Sequence, residues 1–253
     1  MKFTVSTLFV VTAPDAKRHP PYHHGDLHRA LVEAGTELAR EGGPSAIVLR
    51  EAARRVGVSP NAAYRHFSAL PELVEAVAFD ALSALARSME AELAKCRPSG
   101  EPGRDAIDRL GAVGRGYVQF ALSEPGLFAA AFAPSKTTAH AEDAPVRPGD
   151  DADHSGDEPR GVGDSGLMPG ELLEQALDGM VDAGVLDAAD RDTAALNAWA
   201  AVHGLSELLL GPMAGQAPSA RGPLIDAFLD LVGRGLITRR TIESGQTDRA
   251  DVQ

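Results

Sequence analysis

The segment Leu49–Phe67, LREAARRVGVSPNAAYRHF, constrains this chain more than any other. It reads as two short helices joined by a three-residue turn that contains Gly57, whose missing side chain permits the left-handed backbone of a tight turn. Ser59-Pro60 supplies a cap followed by proline at the first helical position, so a helix is predicted from there to about Phe67. Ala53 is small where the helices must cross. Leu49, Val56, Val58 and Phe67 are expected to form their shared core, with Arg50, Arg54 and Arg55 outside it. The second helix of such a pair enters the major groove N-terminus first. That places Ser59, Pro60, Asn61 and Ala62 against base edges or flanking phosphates, Asn61 being suited to an adenine edge. Tyr64, Arg65 and His66 are expected to reach phosphates, and Arg50 joins this DNA-contacting set.

The rest of the chain is helical in pattern, and no strand-like alternation competes, so the predicted fold is all-α. A first helix over 26–41 carries Leu27, Leu31, Ala34 and Leu38 on one stripe and stops at Gly42-Gly43-Pro44. Pro71 is read as opening a long helix to about Lys95. Further helices are predicted over 105–123, 125–132, 169–183, 187–210 and 223–239. The expected organisation is an arm over 1–20, a helix-turn-helix domain over 21–68, a larger helical domain over 69–243 and a polar tail over 244–253. Within the larger domain, residues 134–166 are poor in apolar side chains and read as a disordered acidic loop.

A net charge of −12 over 253 residues argues by itself against nucleic acid, but charge acts locally. Bases outnumber acids between Lys17 and Arg65, while the excess acid gathers between Glu142 and Asp164. A mildly basic head on an acidic body presents one end to a duplex. The single cysteine, Cys96, excludes an internal disulfide framework or a cysteine zinc cage and fits a reducing, cytoplasmic setting. No apolar run reaches the roughly 20 residues of a membrane span. Met1-Lys2 and Phe3–Ala13 faintly resemble a signal peptide, but Thr4, Ser6, Thr7 and Thr12 break the apolar stretch.

The runs Tyr22-His23-His24-Gly25-Asp26-Leu27, Leu49-Arg50-Glu51, Gly57-Val58-Ser59 and Tyr64-Arg65-His66-Phe67 resemble the N-terminal domain of TetR-family repressors. The resemblance covers about residues 20–90. It extends to Trp199-Ala200-Ala201-Val202-His203-Gly204, which is similar to the Trp-His-Gly signature of one class of TetR C-terminal domain. The family implies an all-α homodimer on a near-palindromic operator, released by a small effector. Two positions depart from its pattern. Val48 stands where Thr or Ser usually caps the second helix, so Ser45 must compensate or the helix frays. Ser68-Ala69-Leu70-Pro71-Glu72 lacks the Lys that often holds a phosphate, which predicts weaker or more salt-sensitive operator binding.

His19, His23, His24 and His28 suggest a metal site, since His24 and His28 stand one helical turn apart. No cysteine or well-placed acid completes a set, Asp26 pointing off that face, so a solvated or phosphate-facing arm is the expectation and neither metal nor cofactor is assigned. No phosphate loop, carboxylate pair or nucleophile–base pair points to an enzyme. Trp199, His203 and Ser206 or Glu207 share one helix at helical spacing. With Tyr117, Phe120, Leu127, Phe128, Leu173 and Met180 they are expected to enclose an apolar small-molecule pocket, or else to be ordinary core. The last helix, with Leu224, Phe228, Leu231 and Leu236, has the stripe of a dimer interface.

Overall fold

The computed structural model describes residues 24–133 and 160–237, with side chains from 27 onward in the first span. The arm, His19, His23, the side chain of His24, most of the acidic loop and the tail lie outside the described residues. Among those described, every regular element is helical: α1 His24–Gly42, α2 Leu49–Val56, α3 Pro60–Ala63, α4 Leu70–Leu93, α5 Pro102–Ser123, α6 Pro125–Ala131, α7 Pro169–Asp182, α8 Arg191–Leu210 and α9 Pro218–Ile237, with a 3₁₀ turn at Pro44–Ala46. The all-α expectation holds.

The chain divides into two compact units, and the division falls inside α4, after Ala84. The head contains α1–α3, the first part of α4, and α6. Its core is built from Leu31, Leu38, Ile47, Leu49 and Phe67, together with Ala52, Ala53 and Ala63, which are fully buried. Val56 and Val58, expected in that core, are only half-buried at the turn. Gly126 places α6 directly on α1: a side chain there would overlap the Ala39 carbonyl. The body contains the remainder of α4, with α5, α7, α8 and α9. There α5 is central and packs on α7, α8 and α9. Gly116 lets it approach the α4 backbone at Met89, and the Ser88 hydroxyl donates to the Gly116 carbonyl at 2.8 Å.

Several boundaries differ from the sequence reading. α8 begins at Arg191 rather than Asp187, because the Asp187 carboxylate accepts the Ala189 N–H at 2.9 Å and holds a turn. α9 begins at Pro218, so Pro223 lies inside it. Proline removes the bond to residue i−4, here Ser219, which is exposed and open to water. Residues 163–166 of the expected disordered loop form a turn around the Glu90 carboxylate. It accepts the N–H groups of Asp164 (2.8 Å) and Ser165 (3.0 Å) and the Ser165 hydroxyl (2.5 Å). A polar, glycine-rich stretch reads as disorder only until an acid satisfies its donors.

Candidate functional site

The helix pair forms as expected at its turn. Gly57 adopts φ 80°, ψ 26°, and Val58 N–H reaches back to the Ala53 carbonyl at 3.0 Å, closing α2 with a left-handed cap. Pro60 opens α3, and the Ser59 hydroxyl accepts the Ala62 N–H at 3.3 Å. The α-helical span ends at Ala63 instead of Phe67; turns continue to His66, and Phe67 N–H still bonds the Ala63 carbonyl at 3.0 Å. The start of α2 has no side-chain cap. Val48 is 44% exposed, and Ser45 donates to the Gly42 carbonyl instead of compensating. Glu51 in the first turn favours the positive helix end.

Arg50, Ser59, Pro60, Asn61, Tyr64 and Arg65 are exposed, and Ala62 and His66 are half-buried. The four arginines separate into two pairs. Arg54 grips Glu51 with two bonds of 2.8 and 2.6 Å, and Arg55 grips Glu41 with two of 2.9 and 2.6 Å. The Arg54 bond, followed by the Arg55 bond, holds the Glu51 carboxyl down at about 2. Arg50 and Arg65 form no ion pair with any described acid, which leaves their charge available to an anion. His28, considered above for metal, stacks on Phe67 with ring centroids 4.6 Å apart, so it fastens α1 to the end of the helix pair. Burial first, then Arg160 and His66, push its pKa down. Among the described residues no three metal-ligating side chains cluster.

In the body, a cavity of about 30 Å³ lies between α5, α7, α8 and α9. Its walls include Leu110, Val113, Leu173, Val202, Leu229 and Val232, with Tyr117 and Trp199 as the polar-tipped members. Tyr117 is 3% exposed and shares a hydrogen bond of 2.8 Å with His203 Nδ1. Trp199 stacks on His203 at 5.3 Å and 25°. Burial drives the Tyr117 hydroxyl far above its usual pKa, and the neighbouring Trp199 indole works against that shift. The structure thus brings Tyr117, Trp199 and His203 together. It does not bring Phe120 or Phe128 with them. Phe120 is buried elsewhere in the body. Phe128 belongs to the head, where it is 1% exposed and meets Phe132 edge-on at 5.1 Å. Leu127 goes with it, Met180 is core, and Ser206 turns its hydroxyl back to the Val202 carbonyl at 2.8 Å.

Two family models match the chain. Residues 31–77 match "Bacterial regulatory proteins, tetR family", and residues 110–232 match "Tetracyclin repressor-like, C-terminal domain". The chain belongs to the TetR family. It is a DNA-binding helix-turn-helix transcription regulator. The first match spans α2 and α3, and the second spans most of the cavity wall. Among solved structures, a protein of unknown function from Rhodococcus sp. RHA1 is 25% identical with a TM-score of 0.54, over 87% of this chain and 100% of its own. SCO4313, a protein assigned a regulatory role, is 19% identical with a TM-score of 0.51, over 84% and 98%. The TetR-family regulator PfmR from Thermus thermophilus is 17% identical over 81% and 98%, with a TM-score of 0.47. No curated protein matches the chain in sequence.

Family membership makes the start of α4 informative. Where the resemblance calls for a phosphate-holding Lys, Glu72 accepts the Ser68 N–H at 2.6 Å and also bonds the Ser68 hydroxyl. A carboxylate closes this corner of the TetR head. The signal missed in the sequence was the pairing of Arg54 and Arg55 with Glu51 and Glu41. Glu51 was visible at i+3 and i+4 spacing, whereas Glu41 meets Arg55 only through the packing of α1 on α2.

Proposed function

We propose that this TetR-family chain is a repressor that binds a near-palindromic operator as a homodimer in the cytoplasm and is released by a small-molecule effector. The observation that carries the DNA reading is the placement of exposed Arg50 and Arg65, without acidic partners among the described residues, on either side of exposed Asn61 in the chain. Asn61, Ser59, Pro60 and Ala62 face bases in this reading, while Arg50, Tyr64, Arg65 and His66 face phosphates. One recognition helix covers only a half-site, so a dimer is required. The exposed Leu196, Ala200, Gly204 and Leu208 on α8, with Ala227 and Leu231 on α9, support a helical interface between copies. Trp199, His203 and Gly204 resemble the Trp-His-Gly signature, and Tyr117 completes a polar anchor within an apolar wall. Effector binding would shift α4 in the body and re-space the two recognition helices.

A second reading has its own support. A cavity of about 30 Å³ has room for little more than a water molecule, which favours a regulator that acts without a ligand. Selection of genomic fragments by the purified chain, followed by a release screen with small molecules, decides between them. Enriched near-palindromic sites released by a compound support the effector-responsive repressor. Enriched sites that no compound releases support the ligand-free regulator. Fragments no better bound than random DNA contradict both.

A further inference from the structure

We propose, building on the effector reading above, that the buried cavity and an open cleft beside it are two ends of one elongated site, gated by Leu229, for an amphipathic organic cation. The cleft has a volume of about 300 Å³, and its walls include Glu92, Lys95, Cys96, Asp108, Arg115 and Asp226. Gly111 and Leu229 line both spaces. Leu229 is tucked against α5: a Cβ at Gly114 would lie 2.7 Å from its Cδ2. A Cβ at Gly111, by contrast, would meet nothing within 4 Å, so the unfilled space lies at the boundary between the two. A rotamer change at Leu229 is the smallest motion that joins them.

Neither space alone makes a ligand site. The inner one is too small, and the outer one lacks apolar enclosure. Joined, they reach the lower end of the range for small-molecule pockets, about 300–1,000 Å³. The chemistry of the two ends differs. The inner walls carry no Asp, Glu, Lys or Arg, so an apolar group belongs there and a charge would be penalised by desolvation. The cleft carries the carboxylates of Glu92, Asp108, Asp226 and Asp230 and the cations Lys95 and Arg115, the Arg115 guanidinium being held by Asp226 at 2.8 Å. Asp108 pairs with Arg104 at 3.7 Å and Asp230 with Arg234 at 2.6 Å, in exposed ion pairs that a ligand's cation can replace at little cost. The Glu92 side chain is 6% exposed and its Lys95 partner 68%, so a buried carboxylate faces a counter-ion that is itself largely in water.

The sequence provides one reporter at each end. Trp199, the single tryptophan, lines the cavity, and Cys96, the single cysteine, lines the cleft. The full chain is titrated with hexyltrimethylammonium, hexanol and hexanoate while Trp199 emission and the rate of Cys96 alkylation by iodoacetamide are followed. The cation should change the emission and slow the alkylation with the same half-saturation, hexanol should act more weakly, and hexanoate should do neither. Gly111→Leu, which fills the boundary, should weaken both responses about tenfold or more, with thermal melting confirming the fold. Leu229→Ala, which removes the gate, should strengthen them. A response at only one reporter, unequal half-saturations, or hexanoate binding as well as the cation would overturn the proposal. If the cation moves both reporters yet leaves DNA binding unchanged, the site stands and the effector reading fails. If another molecule releases DNA while neither reporter responds to the cation, the site fails and the effector reading stands.

Discussion

In the head, Arg50, Asn61, Tyr64 and Arg65 stand in solvent above a core of alanines, whereas in the body Tyr117, Trp199 and His203 turn inward onto one another between apolar helices. The two units use polar side chains in opposite ways. An exposed arginine costs the fold almost nothing and is kept for a partner. A buried tyrosine must be satisfied inside, so its hydrogen bond contributes to stability and to the shape of the cavity. Mutations should therefore separate binding from folding in the head and couple them in the body.

The largest test of this contrast is Phe128→Ala. This residue is head core and no part of the cavity, so the substitution should cost about 3–5 kcal/mol of stability in denaturant unfolding. Ligand effects on Trp199 emission should survive wherever the protein stays folded. Replacing both Arg50 and Arg65 with Ala should leave the melting temperature nearly unchanged. The salt dependence of DNA binding, measured by anisotropy, should fall by roughly 4 in slope, as two phosphate contacts are lost from each subunit of the dimer. Tyr117→Phe should destabilise by about 1 kcal/mol in thermal melts, because His203 Nδ1 loses its partner. It should leave DNA affinity intact without ligand. Gly111→Ala, in a helix with open space around it, should stabilise by about 0.5–1 kcal/mol.

The smallest effect concerns pH. The pKa of His28 is lowered in the folded head below its ordinary 6.5, chiefly by burial. The unfolded chain then binds more protons than the folded one just below that value, so head stability should fall as pH drops through about 6.5 and below. Melting curves at about pH 7.5 and about pH 5.5 should show the loss, and His28→Phe should reduce it.

The head was legible because its signals are local. Gly57, Ser59 and Pro60 each fix the backbone within a few residues, and the apolar spacing of α1 assigns its buried face. The body was legible in kind but not in membership. Phe128 sits only a few residues beyond Phe120, yet Gly126 docks α6 on α1 and carries it into the head. That allegiance depends on a contact between residues far apart in sequence. The turn around Glu90 and the Arg55–Glu41 pair were hidden for the same reason: both partners are ordinary surface residues until the fold brings them together. Tyr117 and His203 both belong to the expected pocket, but only the structure places their polar atoms 2.8 Å apart.

The division of labour in the head can be measured directly by comparing binding to a selected operator and to a scrambled duplex across a salt series. Asn61→Ala should lower the preference for the operator while leaving the salt slope unchanged. Arg65→Ala should weaken both duplexes alike and reduce the slope by about 2, one phosphate contact being lost from each subunit of the dimer. If Asn61→Ala weakens both duplexes equally, or Arg65→Ala changes the preference and not the slope, then Asn61 does not read bases or Arg65 does not hold a phosphate, and the account of the head is wrong.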